Sequence, residues 1–364
     1  MIVINNDLRQ KFEKYLPLFK SKPTDTLTTL FQRPNGKPAA KWQGYLQHYD
    51  RLFSSFKKKP LRLLEIGVQA GGALEVWAQY FDSARIIVGC DVDKSCGDLR
   101  YEDPRIKVLI GDINTNETLQ SLALITEVFD IVIDDGSHQS DDIIHSFIQL
   151  FPLLTEGGIY LIEDLHCSYW EDYGGGLYDP LSSISFFKKI VDMINQSVWG
   201  VKIEPSVFFR EFKNTKQDNS ATDLWNFLSD IHSIEFVNSM CIIHKRSKQN
   251  NMLGTLSLSG SLDVNNNVSS QYLAAEISVP DQTKNIFSKP SIDLVHANAQ
   301  LSIARDEINR LRQIIFELQS ETATLTTQFY ESTSKFYEAS VIIQQLEFKL
   351  NSLSPTPSQA DSTN

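Results

Sequence analysis

The chain has 364 residues, enough for one full domain and further material, with 41% hydrophobic and 22% charged residues, an ordinary globular composition. Its formal net charge of −11 argues against a nucleic-acid backbone as the main partner, because phosphate binding needs a basic surface. The four cysteines, Cys90, Cys96, Cys167 and Cys241, lie far apart without CxxC spacing and are expected to be reduced, mostly buried thiols. The first residues show no charged-then-apolar signal pattern, and no apolar run approaches the roughly 18–20 residues of a membrane span. A cytoplasmic location is the expectation.

Residues 1–60 are expected to form a helical N-terminal segment. Its last part, from Trp42 through Tyr45, His48 and Tyr49 to Phe53, carries aromatic and aliphatic residues at helical spacing, suited to packing over one edge of the next domain. From residue 61 to 246 short apolar runs alternate with amphipathic stretches. Strands are expected at Leu61–Ile66, Arg85–Cys90, Ile106–Ile110, Phe129–Ile133 and Gly158–Ile162, with helices at Ala73–Tyr80 and Asp141–Leu154 among those between them. Strands with little internal alternation are buried on both faces, which implies a parallel α/β sheet flanked by helices. Ser233–Val237 and Met240–His244, separated by Asn238 and Ser239, read as a closing antiparallel hairpin.

Residues 247–293 are rich in Asn, Ser and Gly and read as a linker. Over residues 294–350, steps of three and four from Leu294 through Leu301, Ile308, Leu311, Ile315 and Leu318 to Leu350 meet apolar residues except at Thr322 and Ser332. Such unbroken heptads predict a left-handed coiled coil, whose simplest use is homo-oligomerisation. Residues 351–364 are polar and expected to be disordered.

Chemistry concentrates at the strand ends. Glu65, Gly67, Gly71 and Gly72 form an E-x-G-x-x-x-G-G turn between the first strand and its helix, where glycines admit close approach of a ligand to backbone and helix N-terminal amides. This is not the dinucleotide spacing G-x-G-x-x-G, so a nicotinamide cofactor is disfavoured. Asp91, ending the second strand, is placed to accept ribose hydroxyls, and Asp112, ending the third, to meet an adenine amino group. The fourth strand ends in Asp134-Asp135-Gly136-Ser137-His138 and the fifth in Glu163-Asp164-Leu165-His166. Ligands of open parallel sheets bind outside the carboxyl ends of adjacent strands, so Asp135, Glu163 and Asp164 should converge beside the cofactor. Crowded carboxylates repel unless neutralised, and hard oxygen ligands of this kind suit Mg²⁺. Because side chains alternate along a strand, Asp135 is the expected ligand and Asp134 a group near the cofactor or behind the ligands. His138 is the expected general base, with His166 as its rival. The aromatics and glycines of Cys167–Tyr178 suit a mobile lid over an apolar sugar face.

These motifs resemble class I S-adenosylmethionine-dependent O-methyltransferases, and within them the metal-dependent, mycinamicin-type enzymes that modify deoxysugars of macrolides. The resemblance covers roughly residues 40–246, through LLEIGVQAGGAL, IDDGSH, IEDLHCSYW and SIEFVNSMCIIHKR. It implies a Rossmann-like sheet, parallel with one antiparallel strand, beside the N-terminal helices and the C-terminal coiled coil. It implies S-adenosyl-L-methionine bound by Glu65, Gly67, Gly71, Asp91, Asp112 and Asp134. Mg²⁺ would be held by Asp135, Glu163 and Asp164, with His138 as base. The acceptor would be a saccharide or glycosylated small molecule. The heptads are not a feature associated with the macrolide enzymes and leave a surface glycan or lipid-linked saccharide equally open. Two rivals are a related scaffold supporting other chemistry, like the hydroxylase-associated proteins of cephamycin biosynthesis, and a glycan-assembly scaffold with a non-methylating domain acting through its coil.

Overall fold

The computed structural model describes residues 26–33, 35–212, 222–257, 259, 278–289 and 292–352. The whole of the N-terminal segment before Thr26, much of the expected linker and the tail after Ser352 lie outside the described residues. The chain divides into two units, residues 1–291 and 292–364.

The first unit is built on a seven-stranded sheet. Its strands are β1 (Arg62–Ile66), β2 (Ile86–Asp91), β3 (Ile106–Ile110), β4 (Phe129–Asp134), β5 (Leu154–Ile162), β6 (Ile231–Val237) and β7 (Met240–Lys245), in the order β3-β2-β1-β4-β5-β7-β6. β1 to β5 pair in parallel, and the β6–β7 hairpin closes the sheet by pairing β7 antiparallel to β5. This is the class I methyltransferase arrangement that the alternation of apolar runs predicts. The order reverses between β1 and β4, which opens a crevice at their carboxyl ends.

The α-helices of five residues or more among the described residues of this unit are α1 (Leu27–Phe31), α2 (Gln43–Phe53), α3 (Gly72–Tyr80), α4 (Asn116–Ile125), α5 (Ser140–Leu150) and α6 (Ser183–Ile194). Thr26, Thr115 and Ser182 cap α1, α4 and α6 through their hydroxyls, satisfying amides that have no partner within the helix. Strand side chains alternate between two cores. Leu63, Ile87, Ile131, Ile133, Leu161 and Ile242 pack under α1, α2 and α3. Leu64, Val88, Val132, Tyr160, Ile162 and Ile243 pack with α4, α5 and α6. The aromatic run of α2 therefore covers one face of the sheet instead of its edge, with Tyr45, Tyr49 and Phe53 buried. The expected helix Asp141–Leu154 stops at Leu150: Pro152 cannot donate into it, a 3₁₀ turn follows over Phe151–Leu153, and Leu154 already opens β5. Phe209 and Trp225 stack in the second core with centroids 5.4 Å apart, and all four cysteines are free and buried.

The described residues of the second unit form one helix, α7 (Ile292–Ser352), of 61 residues. At 1.5 Å per residue it is about 90 Å long. Of its heptad residues, Ile308, Leu311, Ile315, Leu318 and Leu346 stand exposed. No helix among the described residues is long and apolar enough to cross a membrane.

Phe147 of α5 is fully buried among Phe151, Tyr160, Phe186, Phe187 and Phe227. Phe147→Ala is expected to cost about 3–5 kcal/mol, the range for deleting a buried aromatic, read as a shift in the urea unfolding midpoint at unchanged slope.

Candidate functional site

A cavity of about 1040 Å³ opens over the carboxyl ends of β1 to β5. Of the residues singled out in the sequence, Gly67, Asp91, Asp112, Asp134, Asp135, His138, Glu163 and Asp164 line it. Glu65 and Gly71 do not. Glu65 lies on the α2–α3 face of β1, fully buried, with one oxygen accepting from Lys41 Nζ at 3.0 Å and the other from Trp77 Nε1 at 3.0 Å. Gly71 precedes α3 at φ 83°, and a side chain there would strike the Tyr101 hydroxyl. Gly67, at φ 88°, has no room for a Cβ, which would stand 2.1 Å from the Asp135 carbonyl oxygen.

Asp91 ties down the glycine turn. Its Oδ2 accepts from the amides of Val68 at 2.7 Å and Gln69 at 3.1 Å, and its Oδ1 from Asp93 N at 2.8 Å. Burial would raise this carboxyl, but the N–H groups of Asp93, Gln69 and Val68 outweigh it and hold it below the usual range. A carboxylate oxygen has two acceptor sites, so capacity remains for a ribose. Asp112 accepts from Asn114 N at 2.9 Å.

The two aspartates that end β4 part ways, as alternation requires. Asp134 turns to the α5 face, buried, and accepts from Ser146 and Tyr160. Burial pushes it up to about 6, against the opposing hydrogen bonds of those hydroxyls. Asp135 turns to the α2 face. There the Lys41 side chain, 2% exposed, donates through Nζ to Asp135 Oδ2 at 2.7 Å, Glu163 Oε1 at 2.6 Å and Glu65 Oε1 at 3.0 Å. Burial by itself would lower the lysine, but Glu163, Glu65 and Asp135 outweigh it and keep it protonated well above its ordinary range. Tyr49 also donates to Glu163. Burial still pushes Glu163 up to about 8, with Lys41 opposing and Asp135 adding to the rise.

Asp164 is held from the same direction. Trp42 Nε1 and the Tyr45 hydroxyl each donate to its Oδ1 at 2.8 Å. Its Oδ2 faces His138 Nε2 at 3.7 Å, and Asp135 Oδ1 faces the same nitrogen at 3.9 Å. Asp135, His138 and Asp164 thus form one half-exposed group with the spacing of a metal site, and Glu65, Asp135 and Glu163 form a second, mostly buried one. The structure does not gather Asp135, Glu163 and Asp164 as one such set, because Glu163 follows the strand alternation toward Lys41 while Asp164 turns at φ 50°. His166 meets the Ser239 hydroxyl and packs edge-on to Trp170 with centroids 4.9 Å apart. The Trp170–Gly176 segment folds into short turns, with Tyr173 6.4 Å from the His138 ring.

Lys41, Trp42, Tyr45 and Tyr49 were missed as site residues. The aromatic spacing of α2 marks a buried face, but it does not distinguish packing from hydrogen bonding. A single lysine before a helix carries no sequence signal at all.

No protein-family model matches the chain. Over 162 residues it is 39% identical to demethylmacrocin O-methyltransferase of Streptomyces fradiae, covering 41% of this chain and 40% of that protein. It is 38% identical over 162 residues to mycinamicin VI 2''-O-methyltransferase of Micromonospora griseorubida, covering 41% and 39%. With 8-demethyl-8-alpha-L-rhamnosyl tetracenomycin-C 2'-O-methyltransferase of Streptomyces olivaceus the identity is 35% over 162 residues, covering 42% of each. A solved structure of the MycE methyltransferase of the mycinamycin pathway, in complex with Mg, SAH and mycinamycin VI, aligns at 24% identity and a TM-score of 0.49, over 70% of this chain and 66% of that one. The chain spans about two fifths of the length of the curated relatives it matches. Over that shared stretch it resembles the sugar O-methyltransferases, on a sheet with class I methyltransferase topology.

Proposed function

We propose that the chain transfers a methyl group from S-adenosyl-L-methionine to a sugar hydroxyl of a glycosylated metabolite or glycan, with Mg²⁺ at the carboxylate centre. The observation that carries this reading is the meeting of Asp135 Oδ1, Asp164 Oδ2 and His138 Nε2 at the edge of a cavity. Ligand pockets run to about 300–1,000 Å³, so its volume suits a nucleoside cofactor with part of an acceptor. The likeness to enzymes named for methylating sugars supports the same conclusion.

The donor set fits a divalent cation. Asp135 and Asp164 each have one oxygen tied to protein donors and the other turned to the cavity beside His138, two hard ligands with room for retained water. These two residues would hold the ion, and Glu163, fixed by Lys41 and Tyr49, would stand behind Asp135. Asp91 and Asp112 would receive the ribose and the adenine, and Gly67 would let the cofactor approach the backbone. Asp134, which lines the cavity, would stand beside the cofactor, and Glu65 and Gly71 would shape the pocket from behind its lining. When bound, S-adenosylmethionine supplies an electrophilic methyl carbon, and the ion supplies charge that stabilises a developing alkoxide. His138 would take the proton of the acceptor hydroxyl. His166 is engaged with Ser239 and stands 3.9 Å from Asp164 Oδ1, which Trp42 and Tyr45 orient.

We extend the proposal to the assembly. In α7, Ile308, Ile315 and Ile343 occupy position a of the heptads, and Leu311, Leu318, Leu325 and Leu346 occupy position d. At these heptads β-branched residues at a with leucine at d favour two parallel strands, whereas Phe329 and Phe336 at a and Ala297, Ala304, Ser332 and Ala339 at d depart from that pattern. In that register Glu307 at g meets Arg312 at e of a second copy, an opposite-charge pair. The expected occupant of this apolar face is therefore the same helix of another chain.

Calorimetry with S-adenosylhomocysteine, in Mg²⁺ and in EDTA, tests the first reading. Saturable binding is expected, and its absence under both conditions would overturn the methyltransferase assignment. With a panel of 6-deoxyhexosides as acceptors, His138→Ala is expected to lower methyl transfer by about 10²–10⁴-fold, the usual worth of a general base, while homocysteine-product binding persists. Retained turnover would remove His138 from the base role. Sedimentation equilibrium should give twice the chain mass for the full protein and the single mass once residues 292–364 are deleted. A monomeric full chain would rule out the coil pairing.

A further inference from the structure

We propose that the Lys41 ammonium stands in the place of a second cation, so that the carboxylate centre takes one divalent ion and not two. The inference rests on the metal-dependent reading above.

Asp135 belongs to both acidic groups, as a bridging carboxylate does. Its Oδ1 faces His138 and the cavity, and its Oδ2 lies 2.7 Å from Lys41 Nζ. Glu65 and Glu163 complete the inner group, their oxygens close enough to Asp135 to serve one cation together. Paired metals that share ligands sit about 3.5–4 Å apart, and a carboxylate with one oxygen in each of two adjoining groups is suited to that geometry.

The inner position is filled by the chain itself. A lysine ammonium has three N–H donors, and each points to a different carboxylate: Glu65, Asp135 and Glu163, at 2.6–3.0 Å. Lys41 and Glu163 are each 2% exposed and Glu65 1%; Lys41, Asp135 and Glu163 border the cavity, but all three N–H donors of the ammonium are spent on carboxylates. Mg²⁺ usually keeps several waters, and so nearly closed a position leaves little room for them. The ammonium is also tethered. Its stem enters just ahead of α2, whose Tyr45 and Tyr49 donate to Asp164 and Glu163. It cannot exchange with ions in solution as a bound metal does. The outer group, by contrast, is half exposed and opens on the cavity. A permanent single charge thus holds Asp135 and Glu163 in position, and leaves one oxygen each of Asp135 and Asp164 for the exchangeable ion. Lys41 is in this sense a positioning residue.

Mn²⁺ is the probe, counted by titration with electron paramagnetic resonance on the full chain saturated with S-adenosylhomocysteine. The wild type should bind one ion. Lys41→Met keeps the length of the side chain and removes its charge, and should bind two, with the spectral broadening of neighbouring Mn²⁺ spins. Lys41→Arg keeps a cation and should stay at one. Two ions in the wild type, or one in Lys41→Met, would overturn the inference. A wild type that binds S-adenosylhomocysteine but no Mn²⁺ would instead overturn the metal-dependent reading beneath it. Should Lys41→Met not fold, the wild-type count still decides: two ions would sink the inference, and one upholds it.

Discussion

Four carboxylates, those of Glu65, Asp135, Glu163 and Asp164, crowd the carboxyl ends of β1, β4 and β5, and Glu65 and Glu163 are withdrawn from water. Like charges in a low-dielectric interior do not persist without compensation. Lys41 supplies it, and the position of Lys41 depends on α2. That helix is docked by Tyr49, which stacks on Phe53 at 5.4 Å and meets Trp77 edge-on at 5.4 Å. Trp77 in turn donates its indole hydrogen to Glu65. Core packing and charge compensation are therefore one arrangement: loosening α2 exposes the carboxylates, and removing the lysine leaves the carboxylates under α2 without their cation.

The sheet distributes these groups by its two-residue period. Glu65, Asp135 and Glu163 fall on the face covered by α2 and α3, and Asp134 on the face covered by α5. Each environment then sets its own proton affinity. Asp134 shares hydroxyl donors and is raised only to about 6, whereas Glu163 is raised to about 8 despite its ammonium. Asp91, served by three amides, is lowered. Neighbouring carboxylates come to differ because backbone alternation assigns them different partners.

Backbone strain gathers at the same place. His138, Asp164 and Ser239 adopt left-handed φ values of 57°, 50° and 67°, conformations that cost a non-glycine residue about 1–3 kcal/mol where the surroundings impose them. Ser239 O accepts from Leu165 N and from the Tyr45 hydroxyl, so the hairpin turn, the end of β5 and α2 hold one another. Those turns aim His138 and Asp164 at a common point, which regular strand or helix geometry would not do.

Much of this was legible in the chain. Apolar runs of five or six residues located the five parallel strands, the glycine turn after β1 announced a ligand-approaching loop, and acidic residues at successive strand ends marked the site. The heptads of α7 needed only counting. All of these are local or periodic signals, and local sequence determines them by steric preference and hydrophobic period. The contacts of Lys41 are neither. It lies 24, 94 and 122 residues from Glu65, Asp135 and Glu163, and nothing in its neighbourhood encodes that meeting. Which carboxylates share a cation, which face Asp134 takes and whether Glu65 reaches the cavity were decided only when the helices closed over the sheet, since burial and distance between remote residues exist only in the folded chain.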